Sequence, residues 1–344
     1  MDLGTIAERV ARSAQLAALL EVSGYPKPGN VHRTADFPDV RYEHFLAGSI
    51  AMGSALRKAA IDGALAGKER IKLSGIRIGE KIKSAVQEVN ESHYGGNTHL
   101  GMLLLFVPLA AAAGKTLVET GKIELESLRN NFTQIMKSTS TIDSLCTYDA
   151  ICAAIQTGKG ENRKTAKSSW LGRAKTDVPS LHEREAREKL SDENVTLYDW
   201  LKASSSWDGI ANELTSGMEV SFKVGYPTLM ETFEKHKDIN ISVVHTFLKI
   251  LSEYPDTLVA RKVGLEKTTN IVKAVALGLE KAEWISCVAK SILETGGLTS
   301  EEGKKALQEL DESLRNEGGK LNPGTTADLT ASSLMIANLC GLKF

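Results

Sequence analysis

Apolar residues recur at three- and four-residue spacing almost throughout this 344-residue chain, and no stretch alternates with the two-residue period of a half-buried strand. Leu3, Ile6, Val10, Ala14, Ala17 and Leu20 open the pattern, which returns over 42–60, 76–89, 97–113, 125–136 and 142–155. It continues over 207–214, 220–233, 243–251, 268–279, 284–293, 301–314 and 327–339. Aromatic residues, which favour strands, make up only 6% of the chain. The expectation is an all-α protein: one large domain spanning 1–344, with short loops and caps such as Thr299 followed three residues later by Glu302.

Charge and cysteine usage narrow the function. Forty-two Lys and Arg balance 43 Asp and Glu, so there is no broad positive field to hold a nucleic acid. Four scattered cysteines, without a CxxC pair or zinc-type spacing, indicate neither a disulfide framework nor a structural metal and point to a reducing, cytoplasmic setting. The N-terminal stretch reads as a charged amphipathic helix with no export signal. The most apolar run, 102–113, is about half a membrane span and contains Pro108, so it reads as a buried core helix and no membrane partner is expected. One compositional break stands out at 157–175, where Lys159, Arg163, Lys164, Lys167, Arg173 and Lys175 face only Glu161. It reads as a basic loop or insertion extending to about 194, either a solvated linker or an attractor of polyphosphate.

Chemistry-bearing residues gather in a few Gly- and Pro-rich corners. In 25–33 two prolines and a glycine stiffen a turn that carries Lys27, Gly29, Asn30, His32 and Arg33, enough donors for phosphate oxygens. In 93–101, Gly95 and Gly96 precede Asn97, Thr98 and His99 at the start of the apolar helix. There a polyphosphate could meet backbone N–H groups, although a plain capped helix start accounts for the same residues. Asp256 and Arg261 lie five positions apart, able to serve a metal or hydroxyl and a phosphate, or simply to pair at the surface. A turn at 322–324 leads into Thr326 and Asp328, which also suit an acidic first helical turn. Glu219, between Gly217 and Pro227, is a weaker fifth element. The chain lacks GxxxxGK[ST], HExxH and GxSxG, and has no strand-turn-helix GxGxxG.

Taken in order, these corners resemble the ATP:dephospho-CoA triphosphoribosyltransferase family. The family's PKPG turn is similar to 26–29, its G-x-N-T-H-x-G segment to 95–101 and its D-T-x-x-x-R segment to 256–261. Its closing G-x-[ST]-A-D-L element is similar to 324–329, and 217–227 approaches its G-x-R-E-A…G-[FY]-P stretch. The chain departs from that pattern after the PKPG turn, where Asn30, Val31, His32, Arg33 and Asp36 replace the family's acidic and histidine residues. It departs again at Leu100 (often Lys), Met218 (Arg), Leu258 (Asn) and Lys262 (Gly).

The resemblance implies an all-helical fold, Mg²⁺-ATP as donor of the triphosphoribosyl group, dephospho-CoA as acceptor and adenine as leaving group. On that basis Asp256 or Asp328 would act as base or Mg²⁺ ligand, and His99 as acid or phosphate contact. Lys27, His32, Arg33 and Arg261 would bind the triphosphate, and Asn97 would orient substrate. Gly29, Asn30, Gly96, Thr98, Glu219 and Thr326 would complete the substrate-binding surface, with a homo-oligomer possible. The departures keep open a related ribosyl or phosphoribosyl transferase with another, pterin-type coenzyme acceptor. A non-catalytic helical nucleotide-binding protein is the other alternative.

Overall fold

The computed structural model describes residues 1–156 and 184–344, which form one all-α domain without a strand. The helices are α1 (Leu3–Ser23), α2 (Tyr42–Ala51), α3 (Gly53–Gly67), α4 (Ile78–Ser92), α5 (Leu100–Thr120), α6 (Leu125–Lys137), α7 (Thr141–Gln156) and α8 (Arg184–Asp192). They continue as α9 (Leu197–Ser204), α10 (Gly209–Ser216), α11 (Tyr226–His236), α12 (Ile239–Glu253), α13 (Thr257–Gly264), α14 (Ile271–Glu294), α15 (Glu301–Arg315) and α16 (Gly324–Leu339). The basic run at 157–175 lies outside the described residues. The end of the expected insertion is ordered as α8, with Ala186 and Leu190 buried and Arg187 bonded to Asp149 at 3.1 Å.

Most segment boundaries follow the apolar period, and the differences have local causes. The stretch 42–60 breaks at Met52 because Gln15 donates to the Ile50 carbonyl at 2.8 Å and weak helix formers, Gly48 and Gly53, flank the break. The stretches 268–279 and 284–293 fuse into α14 because 280–283 holds good helix formers and no breaker. In 220–233 the first turn is π-helical, Ser221–Gly225; Pro227 offers no N–H to the ladder, and the Glu213 carboxylate accepts from Val220 and Ser221 N–H at 3.0 and 2.7 Å. The cap of α15 is Ser300, accepting from Gly303 N–H, and not Thr299.

The core is organised around α5, which is buried on every side from Leu100 through Leu117 apart from Gly101. It is the one described helix long and apolar enough to cross a membrane, and 89% of its most apolar window is buried inside the fold. Its seam with α3 is reciprocal: a Cβ on Gly63 would overlap the Ala111 carbonyl, and one on Gly114 would overlap the Ala60 carbonyl. The pair α13 and α14 repeats the device, with Gly264 against the Ala274 carbonyl and Gly278 against the Ala260 carbonyl. Small residues at both contacts let two backbones approach to within side-chain distance.

A Gly114→Ala change should destabilise by about 3 kcal/mol or more, since the clashing partner is backbone and cannot rotate away. Gly121→Ala, at a left-handed cap with nothing within 4 Å, should cost only about 1 kcal/mol. Urea denaturation of the two variants checks this, and equal losses would refute the seam's role.

Candidate active site

The ends of α1, α5, α13 and α16 converge with the 25–40 loop on a cavity of about 810 Å³. The start of α5 sets its floor. Asn97 Oδ1 accepts from Leu100 N–H at 3.1 Å, so this side chain fastens the helix start, and Gly96, Asn97 and Thr98 line the cavity. Against that start lies Asp328 from α16. Its Oδ2 occupies the place a Cβ of residue 101 would take, so only glycine at 101 lets the carboxylate reach the Met102 N–H. The helix end expected to hold polyphosphate therefore already holds a carboxylate. Burial, with Glu21 and Asp256 nearby, raises the Asp328 carboxyl well above the usual carboxylate range.

Glu21, on the last turns of α1, lines the same cavity and is bonded to the fully buried Lys27 ammonium, which also donates to the Glu21 backbone carbonyl at 2.8 Å. Lys27 thus serves as a buried counter-charge behind the acidic wall and does not reach the cavity. The rest of its turn is anchored to α15. Asp311 accepts from Gly29 N–H at 2.8 Å and from Arg315 Nε at 2.8 Å, and lies 3.2 Å from His32 Nε2; Arg315 also donates to the Asn30 carbonyl. Gly29, at φ 70°, allows this fit. Of the five turn residues named in advance, only Asn30 lines the cavity. Arg33 is exposed, donating to Asn240 and stacked on Tyr25 with its guanidinium 5.2 Å from the ring centre.

Asp256 is buried away from the cavity. Its Oδ1 accepts from Leu258 and Val259 N–H, and its Oδ2 from Thr326 N–H and hydroxyl, all at 2.8–3.0 Å. Four acceptances fill a carboxylate's lone-pair positions, leaving none for a metal or a substrate proton. It fastens the starts of α13 and α16 together, and Thr326 belongs to that fastening. Glu219 is half-exposed and paired with Lys223 at 2.6 Å, outside the cavity. Arg261 does line the cavity, with Asp208 3.4 Å from its guanidinium.

His99 is 1% exposed, and its hydrogen-bond chain fixes its protons. Ser49 spends its one proton on the Phe45 carbonyl at 2.7 Å, so His99 Nε2 donates to Ser49 at 3.2 Å. His99 Nδ1 then accepts from the Thr98 hydroxyl at 2.7 Å. Thr98 in turn accepts from His93 Nε2 at 3.2 Å, and His93 Nδ1 accepts from Gly95 N–H at 3.1 Å. Burial, with His93 close by, pushes His99 down to about 3. It stands behind the cavity as a neutral prop for Thr98, with its one N–H proton committed to Ser49.

Several cavity residues were not singled out in advance. Glu21 follows Ala14 and Ala17 at helical spacing, so a carboxylate on the buried stripe was the available signal. Lys262 adjoins the 256–261 corner and Asn322 opens the turn at 322–324, whereas Asp208, Trp200 and Trp207 carry no local signature.

Residues 7–343 match the model of the ATP:dephospho-CoA triphosphoribosyl transferase family. A solved structure from Archaeoglobus fulgidus, described as a candidate triphosphoribosyl-dephospho-CoA synthase, is similar at 26% identity. That match covers 87% of this chain and 100% of that one, with a TM-score of 0.56. No match was found among curated proteins.

Because the folded His99 pKa is depressed, its contribution to stability is complete above about 6.5 and is lost as pH falls toward about 3. Between pH 7 and 5 that loss should be roughly 2 kcal/mol, and a His99→Gln protein should show a correspondingly shallower decline in denaturant titrations. An unchanged pH slope would contradict the buried neutral imidazole. With a family match running almost end to end, the chain belongs to the ATP:dephospho-CoA triphosphoribosyl transferase family.

Proposed function

We propose that this chain transfers the triphosphoribosyl group of ATP to the ribose 2′-hydroxyl of dephospho-CoA, releasing adenine, with Asp328 as the proton acceptor. The reaction forms a bond from the acceptor oxygen to C1′ of the ATP ribose and breaks the bond from C1′ to adenine nitrogen, whose electron pair stays with adenine and takes up a proton from solvent, while the hydroxyl proton passes to Asp328. Positive charge builds on the ribose as in glycoside hydrolysis. The observation that carries the assignment is the Asp328 carboxyl in the cavity wall, raised by burial and by Glu21 and Asp256 toward a range in which it can accept a proton. Until it takes the hydroxyl proton, its negative charge offsets the developing oxocarbenium ion.

Other side chains take supporting parts. Asn97 spends its oxygen on the helix start, which turns its amide nitrogen into the group available for orienting a hydroxyl. Thr98 gives its proton to His99 and so offers only an acceptor to a bound ligand. Arg261 supplies a guanidinium for phosphate oxygens. Asp256 and Thr326 hold the two helix starts, and His99 holds Thr98.

A divalent ion fits the acidic side. Mg²⁺ is commonly held by one or two carboxylates together with substrate phosphates, and Asp328 and Glu21 are two such groups on the cavity wall. Among the described residues no three His, Cys, Asp or Glu side chains are assembled to cage an ion, so phosphate oxygens would complete its shell. Bound there, Mg²⁺ would neutralise phosphate charge beside these carboxylates.

Incubated with Mg²⁺-ATP and dephospho-CoA, the protein should yield free adenine and a triphosphoribosylated acceptor by mass spectrometry. An Asp328→Asn variant should lose about 10²–10⁴-fold in rate. Absence of both products from the unmodified protein would sink the proposed reaction, and full turnover by Asp328→Asn would remove the base assignment.

A further inference from the structure

We propose that Lys262 is a second polyphosphate-gripping residue of the cavity, acting beside Arg261 on the donor's triphosphate. This rests on the function proposed above but concerns a residue that none of the corner motifs contributes.

Three cations from two segments line the cavity: Arg261 and Lys262 on α13, and Lys320 on the loop before α16. Two are matched by carboxylates, Arg261 by Asp208 at 3.4 Å and Lys320 by Glu266 at 2.6 Å. Lys262 forms no salt bridge among the described residues. Its Nζ donates to the Gly319 carbonyl at 3.1 Å, which uses one of three N–H donors, and the carboxylates that act on it, Asp256 and Asp39, do so without a direct ion pair. An ammonium held in a cavity wall with no anion in contact is costly, and an anionic ligand on its remaining N–H donors reduces that cost.

The rest of the cavity makes Lys262 the more necessary. The start of α5, the usual seat for phosphate, is occupied by Asp328, and residue 100 presents a leucine to the cavity. Lys27 is turned away and paired with Glu21. Beyond what a divalent ion would neutralise, positive side chains for three phosphoryl groups come from the α13 side, where a compact ammonium complements the planar guanidinium of Arg261. Burial also pushes Lys262 down to about 8, an effect an adjacent polyanion would reverse.

Calorimetric titration of the full chain with inorganic tripolyphosphate, in Mg²⁺ at several salt concentrations, tests this with no need for turnover. Lys262→Met, which keeps most of the stem, should weaken binding by about ten- to a hundredfold and flatten its salt dependence, whereas Lys262→Arg should stay within a few-fold of the unmodified chain. Circular dichroism and melting of both variants verify the fold. Unmodified protein that does not bind tripolyphosphate, or Lys262→Met that binds it equally well, overturns the proposal. Charge-dependent binding without adenine release from ATP and dephospho-CoA would uphold the anion site while refuting the proposed reaction.

Discussion

The close approach of backbones along α5 is the constraint on which the rest of the structure depends. Glycine at 63 and 114 brings α3 against it, and glycine at 101 lets the α16 carboxylate touch its first turn. A larger residue at 63 or 114 would push α3 and α5 apart, and one at 101 would displace Asp328 from the cavity wall. Packing and chemistry are thus set by the same choice of residue: small side chains that close the core also place Asp328 where a ligand can meet it.

Charge is divided within the cavity. Glu21 and Asp328 form an acidic side whose compensation, Lys27, stands behind it; the cations Arg261, Lys262 and Lys320 gather on another side, where Asp208 and Glu266 pair with the first and last of them. A ligand that carries a polyphosphate at one end and a reacting, cation-like ribose at the other matches this division. Without a bridging divalent ion the acidic side would repel the phosphates, which leaves the basic side for the end of the triphosphate remote from the ribose.

The helical class and most segments were legible because a 3.6-residue period survives in nearly every buried stripe. The corners that build the cavity were legible too, since prolines and glycines mark where helices stop. Sequence could not separate residues that face the cavity from residues that hold its frame. Asp256, His32 and Asn30 look equally chemical on paper. Only the fold shows that Asp256 has spent every lone pair on helix starts, that His32 is bound to Asp311, and that Asn30 alone of the turn's five candidate residues lines the cavity. Glu21 was hidden for the opposite reason, because a single carboxylate inside an amphipathic helix has no local mark of function.

The shared cap formed by Asp256 makes one further property unavoidable. Lys262 lies on the helix that this carboxylate starts, and Asp328 on the helix whose Thr326 it grips. One fastening therefore sets the span from the basic side to the acidic side, and α13 cannot slide relative to α16 without breaking it. The cavity is in effect a caliper locked at a single opening: with the phosphates at Lys262 and the ribose at Asp328, as proposed above, it would gauge the length between them, and a donor with a shorter or longer bridge would engage one jaw while missing the other.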